Sequence, residues 1–145
     1  MLEAARAEGF TVDSSAIDPT WLGDAEGEEE FQQLAVRLRE VWPKVDRTTQ
    51  PFSIETPAGV IFEVPDSGGM ADQVTGDEIE NHVQRAAQQP RGPIFVHVGL
   101  HAETADDYAD DLSNALGNLR RHEIPMQLVT VGRAAELARA AQQKK

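Results

Sequence analysis

The residues best suited to chemistry in this sequence are a histidine and a glutamate that follow an apolar segment. His101 and Glu103 lie in the string GLHAET, between IFVHV and a helix-forming stretch. A histidine there can act as a general acid or base, because its ordinary pKa is close to neutrality. Glu103 could orient that histidine or bind a ligand hydroxyl group. The alternative is a histidine that only ends a strand and a glutamate in the first turn of a helix.

Asp13 is the second candidate, and it follows a short apolar segment near the N-terminus. One interpretation is a substrate-binding carboxylate that lines a site. The other is a turn-forming residue whose side chain bonds to the nearby backbone. The serines that follow, Ser14 and Ser15, lack the G-x-S-x-G setting of a nucleophile. We therefore do not expect either serine to act as a nucleophile.

A metal site within this chain is not predicted. His97 and His101 are four residues apart, and in an extended strand that spacing separates them by about 13 Å. Ligands of one ion must lie about 2 Å from it. The chain has no cysteine, which also excludes disulfides and cysteine-bound zinc. We interpret His97 as a histidine that lines the interior.

The elements that must position these residues alternate between helix and strand. A hairpin is predicted from PFSIET and GVIFEVP, and a T-x-x-E capping box at Thr75 predicts the start of a helix. After the hairpin the predicted order is helix, strand (IFVHVGL), helix, strand (MQLVTV), helix. This alternation implies parallel strands with helical crossovers. Functional groups then collect at the C-terminal ends of the strands, here at 13–15, 99–101 and 130–132.

The two faces of the IFVHVGL segment differ in polarity. One face is apolar, and the other carries His97 and, just after the segment, His101. A central parallel strand is usually apolar on both faces. The polar face therefore predicts the lining of a barrel or a crevice.

Composition limits the classes of partner. With 145 residues, we expect a single α/β domain over 1–145. The net charge of −12 disfavours binding to nucleic acid and to anionic membranes. No apolar run reaches the roughly 18 residues of a membrane span, and the N-terminus lacks a signal peptide. We expect a soluble, cytoplasmic protein, and the N-terminus reads as the end of a helix, as in a fragment or an internal start.

Three strings resemble the later part of polysaccharide deacetylases of the NodB-homology type. They are GFTVDSSAIDP, TTQPFSIETPAGVIFEVPDSGGMADQVTG and VGLHAETADDY, in this order. The resemblance implies a partial or distorted (β/α) barrel with a β-hairpin insertion. It also implies hydrolysis of N- or O-acetyl groups on carbohydrate with a divalent metal. The histidine that ends the family's last motif is its general acid, a role that the resemblance transfers to His101, with Asp13 facing the same site.

The family's metal-binding motifs are missing from this sequence, which has no T-F-D-D, no H-[ST]-x-x-H and no R-x-P-Y-G. The ion polarises the acetyl carbonyl and activates water, so we expect this chain alone to be inactive or nearly so. As an enzyme it would hydrolyse carbon–nitrogen bonds other than peptide bonds, once complemented by an N-terminal half. It could instead form a homo-oligomer. The alternative function is a non-catalytic α/β binding or interaction module derived from the same fold.

Overall fold

The fold is a small three-stranded sheet with helices packed around it. A computed structural model describes residues 2–22, 29–69, 74–89 and 93–143. In that part of the chain the elements are α1 (Leu2–Ala7), β1 (Val12–Asp13), a 3₁₀ helix (Pro19–Leu22), α2 (Glu29–Val41), β2 (Phe52–Thr56), β3 (Gly59–Glu63), α3 (Gly76–Ala87), α4 (Ala105–Arg121) and α5 (Val131–Gln142). Within the same residues, no helix combines the length and apolarity needed to cross a bilayer.

The sheet has the strand order β1-β3-β2, with the predicted hairpin as its larger part. β2 and β3 pair antiparallel, and Gly59 begins β3 with φ 118°, a conformation that a residue with a Cβ atom rarely adopts. β1 runs parallel to β3, with Val12 opposite Phe62 and Asp13 opposite Glu63. The C-terminal ends of β1 and β3 therefore meet at one edge of the sheet.

The predicted (β/α) barrel is wrong, because no barrel closes among the described residues. The two segments that should have supplied further parallel strands, IFVHVGL and MQLVTV, form no strand of this sheet. Residues 93–99 bond to the residues after β3, for example from the Gly68 N–H to the His97 carbonyl oxygen (2.6 Å), and the Gln50 side chain accepts from the Phe95 N–H (2.9 Å). In MQLVTV, Leu128 remains 61% exposed. Their β-branched residues favour extended backbone, but a strand also needs a partner along its edge.

Two apolar clusters hold the elements together. One joins β3 to α5 through Phe62, Val64 and three alanines of the helix, Ala134, Ala135 and Ala138. The other contains Val74, Ile79 and Ala115, and so joins α3 to α4. Phe95 packs against the first cluster and Val98 against the second. The 93–99 segment therefore contacts both clusters.

The threonines that precede α3 and α4 differ in the structure. The Thr75 hydroxyl accepts a hydrogen bond from the Glu78 N–H (3.3 Å), and the Glu78 carboxylate accepts one from the Thr75 N–H (2.8 Å), which completes the capping box of α3. Thr104 precedes α4 but its side chain makes no capping bond.

We expect Thr75→Ala to lower the free energy of unfolding by about 1 kcal/mol, because the substitution leaves helix N–H groups without an acceptor. Thr104→Ala is the matched control and should change it by less than about 0.5 kcal/mol. Urea unfolding followed by circular dichroism measures both. Equal losses in the two variants would contradict the assignment of the cap.

Candidate functional site

The candidate site is a pair of carboxyl groups at the sheet edge where β1 and β3 end. Asp13 is the last residue of β1 and Glu63 the last residue of β3, and the parallel register places them side by side. The Val64 N–H donates to the Asp13 carbonyl oxygen (2.9 Å), which fixes the two strand ends at this position. Parallel pairing brings the two acids together although 50 residues separate them in sequence.

Glu63 is fully buried, with no exposed surface. Its Oε1 accepts a hydrogen bond from the Ala16 N–H (2.9 Å), while its Oε2 accepts no hydrogen bond from the described residues. Burial, followed by the hydrogen bond to Asp13 and the repulsion from its charge, raises the pKa of Glu63 to about 8. At neutral pH this carboxyl group is therefore mostly protonated and can act as a hydrogen-bond donor.

Asp13 is half-buried and behaves in the opposite way. Burial alone would raise its pKa, but hydrogen bonds from Glu63 and Ser15 lower the pKa of Asp13 below its ordinary value. Ser15 supplies both its hydroxyl (2.5 Å) and its N–H (3.3 Å) to Asp13 Oδ2. Asp13 is thus the ionised member of the pair and the one that solvent can reach.

Two adjacent carboxyl groups whose pKa values are displaced in opposite directions form an acid–base pair. Between the two titration steps the pair holds one proton and one negative charge, and both belong to the pair as a unit. Such a pair can accept a hydrogen bond from a hydroxyl group or water through Asp13. The proton of the pair is held on Glu63, which is buried behind Asp13.

A second buried acid, Asp66, follows the end of β3 by three residues. Burial raises the pKa of Asp66 to about 6, although the Gly69 N–H donates to it, and among the described residues Oδ1 has no hydrogen-bond partner. Burial lowers the pKa of His97, whose Nδ1 is also buried and has no partner in the described part of the chain. The backbone N–H of His97 donates to the Ser67 hydroxyl (3.4 Å). His97 and Asp66 therefore both lie near the loop that follows β3.

Asp18 is buried as well, but its bonds give it a structural role. Its two carboxylate oxygens accept from the Thr20 N–H (2.8 Å) and the Arg47 N–H (3.0 Å). These bonds tie the start of the 3₁₀ helix to the loop before β2. The satisfied carboxylate of Asp18 contrasts with those of Glu63 and Asp66, each of which has one oxygen that accepts no hydrogen bond from the described residues.

The three residues selected from the sequence lie in two different environments. Asp13 lies half-buried at the sheet edge, beside Glu63, as a candidate substrate-binding residue. His101 and Glu103 are exposed, in the turn that leads into α4. The face predicted to line a crevice has partly apolar surroundings, because Phe95 on that face packs against an apolar cluster.

Sequence reasoning missed Glu63 and Asp66. A signal for Glu63 was present in the string GVIFEVP, where an acid interrupts a run of strand-forming apolar residues. In a strand buried on both faces such an acid must either pair or remain protonated. Its partner could not be identified, because only the register of β1 against β3 places Asp13 opposite it.

The side chains present do not fit the divalent ion that the deacetylase resemblance implies. Among the described residues, no group of three histidine, aspartate or glutamate side chains could hold a metal ion. No family model, curated protein or solved structure matches the chain. The resemblance to polysaccharide deacetylases therefore rests on the sequence strings alone.

Proposed function

We propose that this chain carries the hydroxyl-binding, acid–base part of a deacetylase-like hydrolase that acts on N- or O-acetyl groups of carbohydrate. The observation that supports the proposal is the Asp13–Glu63 pair, with one ionised and one protonated carboxyl group at the C-terminal ends of parallel strands. Ligand sites of α/β sheets are commonly found at such ends. The choice of an acetylated carbohydrate as substrate comes from the sequence resemblance.

In this proposal Asp13 and Glu63 have separate tasks. The Asp13 carboxylate accepts a hydrogen bond from a sugar hydroxyl group or from the attacking water. Glu63 keeps its proton and donates a hydrogen bond to the Asp13 carboxylate, and a proton that Asp13 takes from the attacking water passes on to the leaving group. Burial of Glu63 and the Ala16 N–H keep that second carboxyl group in place.

The metal-dependent step is assigned to residues that this sequence does not contain. The ion of a metal-dependent hydrolase polarises the acyl oxygen and activates water. Acid–base catalysis alone supplies about 10²–10⁴-fold. We therefore propose that the chain binds an acetylated sugar by itself but releases acetate at a useful rate only with a companion polypeptide that carries the aspartate and histidine motifs.

The binding part of the proposal is tested with N-acetylated chitooligosaccharide and the 145-residue chain. We expect Asp13→Asn to weaken binding about tenfold or more, because a hydrogen bond to a carboxylate contributes about 1.5–3 kcal/mol. Titration calorimetry measures the affinity. Asp107→Asn, at an exposed position of α4, is the control and should leave it unchanged. Equal affinities for the wild type and both variants would contradict a role for Asp13.

The alternative function is a non-catalytic binding module, and the exposure of His101 favours it. A general acid that acts beside an acetyl group belongs in a site from which water is largely excluded. If this alternative is correct, the chain binds the sugar, but no mixture with metal and companion polypeptide releases acetate. If acetate is released, His101→Ala decides whether the exposed histidine takes part: lost turnover would place it in the assembled site.

A further inference from the structure

The Ser15 hydroxyl donates a short hydrogen bond to Asp13 of the carboxyl pair. Its Oγ lies 2.5 Å from Asp13 Oδ2, and its N–H lies 3.3 Å from the same oxygen. Both bonds come from a residue two positions after Asp13, in the exposed segment that leaves β1. A donor at this distance favours the charged form of a carboxyl group.

Glu63 has a poorer set of hydrogen bonds. The Ala16 N–H donates to Oε1 (2.9 Å) and the Ser15 backbone N–H makes a smaller contribution, while Oε2 accepts no hydrogen bond from the described residues. Its full burial disfavours a charge. The two carboxyl groups therefore differ in solvation and in the number of donors, and Ser15 supplies the side-chain donor on the Asp13 side.

Two other charged groups near the pair, Asp66 and Arg139, have hydrogen bonds to other partners. Asp66 follows Glu63 beyond the end of β3, and its donor is the Gly69 N–H. Arg139 on α5 donates to the Thr11 carbonyl oxygen (2.7 Å) and its guanidinium group lies 4.8 Å from the centre of the Phe62 ring. These contacts hold Arg139 against the backbone just before β1 and against the Phe62 ring.

We propose that Ser15 is a positioning residue that keeps the shared proton on Glu63 and leaves Asp13 as the ionised carboxylate. This role of Ser15 sets which carboxyl group of the proposed site carries the charge. Only the identity of the ligand that binds the pair rests on the proposed function. Without the hydroxyl, part of the proton population moves from a Glu63 oxygen to an Asp13 oxygen. The net charge of the pair stays at minus one, so the exchange needs no other reactant.

The test uses the carboxyl carbon resonances of Asp13 and Glu63 at about pH 6, between the two titration steps of the pair. In Ser15→Ala we expect the Asp13 resonance to move toward the protonated position and the Glu63 resonance to move toward the ionised position. Ser15→Thr keeps a hydroxyl group and should restore the wild-type positions. Ser14→Ala, at the adjacent exposed residue, is the control and should move neither resonance.

Unchanged Asp13 and Glu63 resonances in Ser15→Ala, with the fold intact by amide spectra, would overturn the proposal. A shift of equal size in Ser14→Ala would also overturn it, because the effect would then belong to the loop and not to the hydroxyl. Sugar binding is measured separately on the same samples. If the chain binds the sugar but the resonances do not shift in Ser15→Ala, only the role of Ser15 is wrong. If the resonances shift in Ser15→Ala but the chain binds no sugar, only the proposed function is wrong.

Discussion

Replacement of Glu63 by glutamine is expected to stabilise the protein at pH 8 by a few kcal/mol and to remove a pH dependence of its stability. In the wild type the folded chain keeps a proton on Glu63 up to a pKa of about 8, whereas the ordinary pKa is 4.5. Glutamine retains an oxygen for the Ala16 N–H and presents a permanent N–H donor toward Asp13. The variant therefore reproduces the protonated carboxyl group at every pH.

The sign follows from the raised pKa of Glu63. The unfolded chain loses this proton above pH 4.5 and the folded chain only near pH 8, so the stability contributed by Glu63 falls across that window. The raised pKa of Asp66 also makes stability fall with rising pH, but only up to about pH 6. The lowered pKa values of His82 and His97 act in the opposite direction, below 6.5. Between pH 6.5 and 8 the decline thus belongs to Glu63, at about 1.4 kcal/mol per pH unit.

Urea unfolding at several pH values across that window measures the slope. The wild type should lose stability with rising pH, and Glu63→Gln should give a flat line. Glu55→Gln changes an exposed glutamate of β2 in the same sheet and should retain the wild-type slope. A wild type whose stability is constant between pH 6.5 and 8 would show that Glu63 is already ionised in the folded chain.

Gly68→Ala is expected to lower the free energy of unfolding by about 1–3 kcal/mol, as overpacking of a filled interior does. A Cβ atom at this position would lie 2.5 Å from the His97 carbonyl oxygen and 2.6 Å from Val98 Cγ2. The first contact is with backbone, which cannot rotate away as a side chain can. The 93–99 segment would have to move off the end of β3 and lose its bond to the Gly68 N–H.

Gly132→Ala is the matched control for this prediction. A Cβ atom at Gly132 meets nothing within 4 Å, and the residue lies in the first turn of α5. Alanine is a better helix former than glycine, so this variant should be neutral or more stable by up to about 1 kcal/mol. Thermal unfolding compares the two. A Gly68→Ala protein as stable as the wild type would contradict close packing of the segment against Gly68.

Local patterns in the sequence predicted most of the individual elements. The hairpin was predicted from strand-forming residues on both sides of Pro57 and Ala58, and the capping box located the start of α3. The helix predicted between IFVHVGL and MQLVTV is present as α4, because helical periodicity depends on neighbouring residues only. These signals are local, so they persist whatever the tertiary arrangement is.

The arrangement of the strands could not be predicted in the same way. IFVHVGL and MQLVTV have strand-forming composition, but pairing depends on which edge lies beside them, and neither joins the sheet. The predicted barrel depended on both. β-propensity describes how well a residue fits a half-buried pleated surface, and it does not supply the partner strand.

The candidate site shows the same division between local and long-range information. The position of Asp13 at the end of a strand was visible in the sequence, and β1 ends there. The importance of Asp13 depends on Glu63, which is 50 residues away and enters the site only through the parallel register. The exposure of His101 likewise depends on the conformation of the segment before it, which the composition of that segment did not reveal.

A titration of the Glu63 carboxyl carbon by NMR tests the shared proton most directly. The resonance can be assigned from its absence in Glu63→Gln. We predict that the main titration step of Glu63 falls near pH 8, and that the step of Asp13 lies below its ordinary range. If instead both carboxyl groups titrate as isolated acids do, at about pH 4–4.5, the pair holds no proton at neutral pH and is not the acid–base site that we propose.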